Sequence, residues 1–291
     1  MAGPSEWLAG ARPRTLGVGV APVIVGTALA AADAGGVCWG RAALAAVVAL
    51  ALQVGVNYAN DYSDGIRGTD VQRRGPVRLT ASGLATPAAV RRAAVLALLV
   101  AGIAGAALSL IVTPWLLLVG AASIAAAALY TGGPKPYGYA GLGEVVVLVF
   151  FGFVATMGSA YVQVQRFPEA AWYGSLVVGF LACAVLLVNN LRDIPTDLSA
   201  GKRTLAVRIG PTRTRRLFVA FMIGAFVMLV PIGIDHPGAF VAFVAAPLGI
   251  LSIRLVLTRS DPPSLIRALV ITARTEVLLA VLVALGVWWK A

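Results

Sequence analysis

The chain has 291 residues, of which 59% are hydrophobic and only 12% are charged. A soluble domain carries roughly a quarter of its residues as charges, so this composition excludes an ordinary water-soluble protein. A membrane-spanning helix needs about 20 mostly apolar residues, and the chain has room for many such helices and little else. We therefore expect a single all-α, polytopic membrane domain over residues 1–291.

Nine apolar stretches can be marked along the chain. In order they cover residues 15–32, 41–60, 93–113, 115–131, 143–164, 172–190, 217–234, 239–257 and 270–289. The fourth stretch is short, and the ninth carries Arg274 and Glu276 near its start. The pattern predicts about nine transmembrane helices in one bundle.

The net charge of +11 would suggest nucleic-acid binding in a soluble protein. With nine alternating helices, however, 20 of the 23 Lys and Arg residues fall in connections on one side of the membrane. Cytosolic loops of membrane proteins carry such an excess of basic residues. The charge bias therefore predicts a lipid bilayer and no nucleic acid as partner. It also predicts a cytosolic N-terminus and a multi-pass protein of the plasma membrane.

The two longest connections, residues 61–92 and 191–216, both lie on the predicted cytosolic side, and each contains acidic residues close to the preceding helix. In the first, Asp61 and Asp64 are three residues apart and share a face if the helix continues this far. Asp70 follows two glycines, where the chain is able to fold back.

The second connection repeats this arrangement. Asp193 and Asp197 are four residues apart, again on one helical face. Asn60 precedes Asp64 by four residues, as Asn189 precedes Asp193. The shared spacing indicates a weak internal repeat that relates the second and sixth apolar stretches.

Paired acids near lipid repel each other unless a cation joins them. Hard oxygen ligands select Mg²⁺ or Ca²⁺, and Mg²⁺ usually binds a few carboxylates together with substrate phosphates. Two facing clusters therefore predict a diphosphate held by two or more Mg²⁺ ions, with an active site on the cytosolic face. Basic side chains on the same side offer further phosphate ligands, and they are Arg67, Lys135, Arg192, Lys202 and Arg203. The alternative, simple pairing of acids and bases on a wet surface, accounts for one cluster more easily than for two matched ones.

Several runs of sequence resemble the UbiA superfamily of intramembrane prenyltransferases over nearly the whole chain. The runs are Asn60 to Asp64 with Gly68 and Asp70, Gly75 to Arg78, Tyr130 to Pro136, Gly138 and Tyr139, Gly141 to Glu144, Asn189 to Asp193 with Asp197, and Gly201 to Arg208. They are most similar to the branch that acts on 1,4-dihydroxy-2-naphthoate in menaquinone biosynthesis. Gly68 departs from the general pattern, which has a carboxylate there, and Asp70 is the nearest later acid.

The resemblance implies transfer of a polyprenyl chain from an all-trans polyprenyl diphosphate to 1,4-dihydroxy-2-naphthoate, with loss of CO₂ and diphosphate, giving a demethylmenaquinone. The predicted Mg²⁺ ligands are Asn60, Asp61, Asp64, Asp70, Asp193 and Asp197. The predicted catalytic residues are Asp61, Asp64, Asp193, Asp197 and Lys135. The predicted substrate-binding residues are Asn57, Asn60, Arg67, Tyr130, Asn189, Asn190, Arg192, Lys202 and Arg203. Another aromatic acceptor such as 4-hydroxybenzoate is the alternative, and the sequence leaves prenyl chain length, acceptor pose and oligomeric state open.

Two other classes of membrane protein use intramembrane acids. Transporters place them along ion pathways, but here the acids gather at one membrane face and no charged ladder crosses to the other. Phosphatidyl-alcohol transferases place both acid pairs in one compact stretch, whereas Asp64 and Asp193 belong to distant connections. Both alternatives are disfavoured by the position of the acids.

Overall fold

The computed structural model describes residues 2–69 and 77–289, which form helices and the connections between them. A short helix, α1 (Pro4–Ala11), precedes nine longer helical segments. These are α2 (Pro13–Ala34), α3 (Trp39–Ile66), α4 (Pro87–Ile111), α5 (Leu116–Leu129), α6 (Gly143–Val164), α7 (Glu169–Ser199), α8 (Leu205–Asp235), α9 (Pro237–Thr258) and α10 (Pro262–Trp288). A 3₁₀ turn, Tyr137–Ala140, connects α5 to α6.

The nine predicted apolar stretches coincide with helices α2 to α10, so the all-α membrane architecture is confirmed. Among the described residues, eight of these helices are long and apolar enough to cross a membrane. The remaining one, α5, has 14 residues, which corresponds to roughly 21 Å of helix. The predicted number of spans and the predicted side of the N-terminus stay predictions.

Proline marks where several helices begin. Pro13, Pro87, Pro237 and Pro262 are the first residues of α2, α4, α9 and α10. Proline suits this position because the first amide of a helix has no partner within the helix and proline has no amide hydrogen to leave unsatisfied. The residues before two of these prolines also cap their helices, since Thr86 accepts from the amide of Ala89 and Asp261 from that of Ser264.

The bundle has a tightly packed half and a more open half. The main hydrophobic core joins α2, α7, α8, α9 and α10 and includes Leu29, Leu187, Phe218, Val256 and Leu279. In the most apolar part of α7, 67% of residues are buried within the protein, against 22% for α3. The open half, built from α3, α4 and α5, borders a large cavity that protein side chains do not fill.

Small residues allow α2 to approach α6 closely, as is common between membrane helices. A Cβ atom on Gly26 of α2 would lie 2.1 Å from the carbonyl oxygen of Thr156 in α6. Thr156 belongs to a π-helical stretch, Leu148–Met157, within α6. The close contact fixes the position of this wide stretch, whose residues Phe150, Phe151 and Val154 line the interior of the open half.

We expect Gly26→Leu to lower the thermal stability of the detergent-solubilised protein strongly, because backbone atoms of α6 occupy the space the new side chain requires. Overpacking of this kind costs about 1–3 kcal/mol. The measurement is a thermal unfolding curve. Gly40→Ala is the matched control, since a Cβ at Gly40 meets nothing within 4 Å. A Gly26→Leu protein as stable as the control would show that the α2–α6 contact is not constrained.

Candidate active site

One elongated cavity of about 1000 Å³ runs through the open half of the bundle. Most of its wall is apolar and comes from α2 to α7 and α10. Polar side chains concentrate where α3 and α7 end and in the connections beside them. The main ones are Asn57, Asn60, Asp64, Arg78, Tyr130, Tyr139, Asn189, Asn190, Arg192, Asp197 and Lys202. The cavity thus has a charged end and a long apolar remainder, which suits a ligand with a polar head and a hydrocarbon chain.

Asp64 lies in the last turn of α3 and is 3% exposed. Its Oδ2 atom is 3.0 Å from Nζ of Lys202, and its Oδ1 accepts a hydrogen bond from the hydroxyl of Tyr139. The Lys202 ammonium also sits 4.7 Å from the centre of the Tyr139 ring. These three side chains form a compact buried group in which the negative charge of Asp64 is balanced.

Tyr139 holds its proton in this group. Burial, the charge of Asp64 and the hydrogen bond to Asp64 all raise the pKa of the Tyr139 phenol above its ordinary value. The hydroxyl therefore stays a hydrogen-bond donor throughout the neutral range. Since Tyr139 also lines the cavity, it presents a fixed, neutral ring edge beside the carboxylate.

Asp61 has a different position from the one predicted for it. Its two carboxylate oxygens accept hydrogen bonds of 2.8 Å from the backbone amides of Leu79 and Thr80. The residue is 1% exposed and is not among those that line the cavity. Asp61 therefore anchors the segment after residue 76 to α3, and the metal-ligand and catalytic roles predicted for it stay predictions.

The second acidic cluster ends α7. Arg192 makes a two-pronged contact with Asp193, with both nitrogen–oxygen distances at 2.7 Å, and also donates to the side-chain oxygen of Asn189. Asp197, one helical turn later, lines the cavity. The Lys202 amide donates to the Asp197 carbonyl at 2.8 Å. Lys202 therefore reaches from the end of α7 to Asp64 at the end of α3, and Asp64 and Asp197 line the same cavity.

The predicted asparagines are fixed by hydrogen bonds to neighbouring elements. Asn57 donates to the carbonyl of Ala11 at 2.9 Å, and Asn60 accepts from the Thr131 hydroxyl at 2.7 Å. Asn190 donates to the carboxylate of Glu144 at 3.0 Å. Because these contacts use one end of each amide, the orientation of the side chains along the cavity wall is defined. The predicted Tyr130 also lines the cavity and packs edge-to-face on Tyr137.

Besides Asp61, four predicted site residues among those the structure describes are not at the cavity wall, namely Arg67, Lys135, Asp193 and Arg203. Lys135 and Arg203 are exposed and are not among its lining residues. Arg67 donates to the carbonyls of Thr131 and Gly133, which ties the end of α3 to the connection after α5. Arg67 also lies 5.4 Å from the centre of the Tyr139 ring, and Tyr139 lines the cavity. The catalytic role of Lys135 and the substrate-binding roles of Arg67 and Arg203 stay predictions. Asp70 lies outside the described residues.

Three further arginines line the cavity and were missed as site residues. Arg78 is buried and interacts electrostatically with Asp64, and Arg12 and Arg14 belong to the junction of α1 and α2. Arg78 ends a run, Gly75 to Arg78, that carries the family resemblance, so the sequence did contain a signal for it. Arg12 and Arg14 stand directly before an apolar stretch, which is also where ordinary topogenic charges stand.

Comparisons with known proteins agree with this geometry. The sequence matches the UbiA prenyltransferase family over residues 19–279. The chain belongs to this family. It is 52% identical to the 1,4-dihydroxy-2-naphthoate octaprenyltransferase of Mycobacterium tuberculosis, over 86% of this chain and 85% of that protein. The protein of the same name from Mycobacterium leprae is 48% identical over 98% of this chain and 96% of its own length.

Solved structures confirm the fold of this UbiA family member. A UbiA homologue from Archaeoglobus fulgidus, solved bound to GPP and Mg²⁺, superposes with a TM-score of 0.64. The superposition covers 96% of this chain and 99% of that one at 15% sequence identity. The helix arrangement is therefore shared although the sequences have diverged widely.

We expect Asp61→Asn to lower stability while the Mg²⁺ concentration for half-maximal activity changes less than about two-fold. Asparagine replaces one acceptor oxygen by an amide that faces a backbone N–H, and an unsatisfied buried group costs about 1–3 kcal/mol. Thermal unfolding and Mg²⁺ titration of activity are the measurements, with the exposed Asp235→Asn as control. Unchanged stability together with a raised Mg²⁺ requirement would instead indicate that Asp61 is a metal ligand.

Proposed function

We propose that this cavity binds a polyprenyl diphosphate, with the diphosphate between the ends of α3 and α7 and the prenyl chain along the apolar wall. The enzyme is an aromatic prenyltransferase that transfers the polyprenyl chain to 1,4-dihydroxy-2-naphthoate. The observation that carries the proposal for the site is the convergence of Asp64, Asp197, Arg192 and Lys202 at one end of an otherwise apolar cavity. A polyprenyl diphosphate matches this cavity because it has a charged head and a long apolar hydrocarbon chain.

Mg²⁺ suits the oxygen donors at this end of the cavity. Among the described residues, no three Asp, Glu, His or Cys side chains come together as a complete metal site. Mg²⁺ usually binds one or two carboxylates and takes its other ligands from water and substrate phosphates. We propose Asp64 and Asp197 as its carboxylate ligands, with Asn60 beside them. Asp193 is paired with Arg192 and would have to leave that pair before it could bind Mg²⁺. Two ions, one for each cluster, would neutralise a diphosphate.

Bound Mg²⁺ would stabilise negative charge on the departing diphosphate. The chain's own cations act on the same charge, and Lys202, Arg192 and Arg78 all line this end of the cavity. Lys202 is paired with Asp64. When diphosphate arrives, the Lys202 ammonium can turn to a phosphate oxygen while remaining close to Asp64. Fixed donors of this kind favour charge that develops only as the bond breaks.

The reaction breaks the bond between the allylic carbon and the diphosphate oxygen, and the electron pair leaves with diphosphate. A π-electron pair of the naphthoate ring forms the new carbon–carbon bond. Loss of the ring carboxylate as CO₂ returns an electron pair to the ring, so no oxidant is needed and the product is the hydroquinone form of a demethylmenaquinone. The apolar wall, including Phe150, Phe151 and Val154, excludes water that would otherwise capture the allylic cation.

The charge distribution supports a plasma-membrane protein whose active site faces the cytosol. Of the basic residues that line the cavity, all belong to connections on the side that carries 20 of the 23 Lys and Arg residues. This excess marks the cytosolic side. Both substrates are anions, so they meet the enzyme at its positively charged face. We further propose that residues 1–291 act as a single catalytic unit.

We expect Asp64→Asn and Asp197→Asn each to reduce kcat by at least about 100-fold, because each change removes one anionic metal ligand at the departing diphosphate. The double variant should be little worse than either single variant, since groups that act as one unit are strongly non-additive. Initial rates of product formation at saturating Mg²⁺ measure this. Asp235→Asn, on the exposed end of α8, is the matched control and should be silent.

Near-full activity of Asp197→Asn together with an inactive Asp64→Asn would contradict a role of the second cluster in the proposed site. Full turnover in excess chelator would contradict any role of a metal ion in the reaction.

We expect the enzyme to prefer 1,4-dihydroxy-2-naphthoate to 4-hydroxybenzoate by at least about 100-fold in kcat/KM. A site formed to hydrogen-bond a substrate hydroxyl discriminates strongly against acceptors that do not present one in the same place. The measurement is product analysis by mass spectrometry with purified enzyme, Mg²⁺, one polyprenyl diphosphate and both acceptors in competition. The reverse preference would contradict the acceptor assignment while leaving prenyl transfer intact.

A further inference from the structure

Five basic residues line the cavity, and four of them are engaged with other groups of the protein. The five are Arg12, Arg14, Arg78, Arg192 and Lys202. Lys202 and Arg78 both interact with Asp64. Arg192 is bonded to Asp193, and Arg12 is engaged as well. Most of the positive charge in the cavity is therefore already balanced, and much of it serves the two acidic clusters.

Arg14 differs from the other four basic residues. It lines the cavity and is exposed, and no hydrogen bond or ion pair joins its side chain to another of the residues that the structure describes. A ligand can therefore approach the Arg14 guanidinium without first displacing a protein partner. An arginine that faces a cavity with its charge available is suited to bind an anion there.

The position of Arg14 within α2 also favours an anion. Arg14 is the second residue of α2, and the first turn of this helix contains no acidic residue. The N-terminal end of a helix carries partial positive charge, so it repels a cation and attracts an anion. An anion beside Arg14 would interact favourably with both. Topogenic charge explains a basic residue at this end of α2, but it does not require that residue to face a cavity.

The cavity wall near Arg14 suits an aromatic acid. Val18 follows Arg14 by four residues, on the same face of α2, and it lines the cavity too. The wall thus presents a cation followed by apolar surface. Asn57 donates to the carbonyl of Ala11, which places the start of α2 beside α3, roughly 10 Å along the helix axis from Asp64. Arg14 therefore lies beside the proposed diphosphate site and outside it.

Both proposed substrates are anions, and they differ in the cations that they need. In the proposed function Mg²⁺, Lys202, Arg192 and Arg78 act on the diphosphate, which leaves the carboxylate of the acceptor without a cation. A carboxylate is planar and has two acceptor oxygens, which match the parallel N–H donors of a guanidinium. The shape and charge of Arg14 therefore fit the acceptor.

We propose that Arg14 binds the carboxylate of the naphthoate acceptor and thereby selects an aromatic acid. This inference rests on the proposed function and adds a residue that binds the second substrate. Two N–H donors of the guanidinium would hold the two carboxylate oxygens, with the ring against the apolar wall that includes Val18. The contact is a binding contact, so it acts on the KM for the acceptor more than on kcat.

The test compares Arg14→Gln with the wild-type enzyme, using 1-hydroxy-2-naphthoate and 1-naphthol as competitors of the acceptor, which differ only in the carboxylate. We expect the acceptor KM and the inhibition constant of 1-hydroxy-2-naphthoate to rise at least about ten-fold, as for loss of hydrogen bonds to a charged group. The inhibition constant of 1-naphthol and the KM for the polyprenyl diphosphate should change less than about two-fold, because neither molecule has the carboxylate. Arg14→Lys, which keeps the charge without the planar donors, should have an intermediate effect.

Arg267→Gln removes the same charge from α10 and is the matched control. Arg267 is exposed and does not line the cavity, although its neighbour Ile266 does, so all four constants should stay unchanged in this variant. An unchanged acceptor KM in Arg14→Gln would overturn the inference alone, and so would an equal rise of all four constants. Absence of product from the wild-type enzyme with the naphthoate would overturn the acceptor assignment, and this inference with it.

Discussion

The structure depends on the balancing of carboxylates that are buried next to an apolar cavity. Asp64 and Asp193 are both 3% exposed, and an isolated charge at such a position would be strongly unfavourable. Lys202 and Arg192 supply the balancing charges. The same cations are natural ligands of a diphosphate. The arrangement that stabilises the buried carboxylates is therefore also suited to the proposed substrate, since the pairs need only be rearranged.

Lys202 occupies the centre of this balance because its position is set by two different elements. Its backbone amide donates a hydrogen bond to the Asp197 carbonyl near the end of α7. Its side chain forms an ion pair with Asp64 at the end of α3. The Tyr139 ring lies against the ammonium and belongs to the 3₁₀ turn before α6. Three separate parts of the chain thus converge on one side chain, and the charged end of the cavity depends on all of them being in place.

The helices could be predicted from the sequence because each apolar stretch is long enough to predict a helix by itself, without knowledge of the helices that pack against it. The two acidic clusters were predictable for a related reason, since like charges near lipid are rare and need a purpose. The roles of individual acids were not. Asp61 and Asp64 have the same chemistry and neighbouring positions, and only the path of the backbone at Leu79 and Thr80 turns Asp61 away from the cavity.

Basic residues raised the same difficulty. Lys135 and Arg78 both belong to cytosolic connections, and composition gives no reason to prefer one. The structure exposes Lys135 and buries Arg78 near Asp64.

The uneven packing of the bundle makes the two halves mechanically different. The half formed by α2, α7, α8, α9 and α10 has an interdigitated core, and such cores resist deformation. The other half borders the cavity instead, and only 22% of the residues in the most apolar part of α3 are buried within the protein, so in a bilayer lipid acyl chains would lie against it. With the prenyl chain placed as proposed, a longer chain would be accommodated by displacing lipid, with no rearrangement of the core. The lipid composition and thickness of the membrane would then become part of the binding site for the hydrocarbon chain.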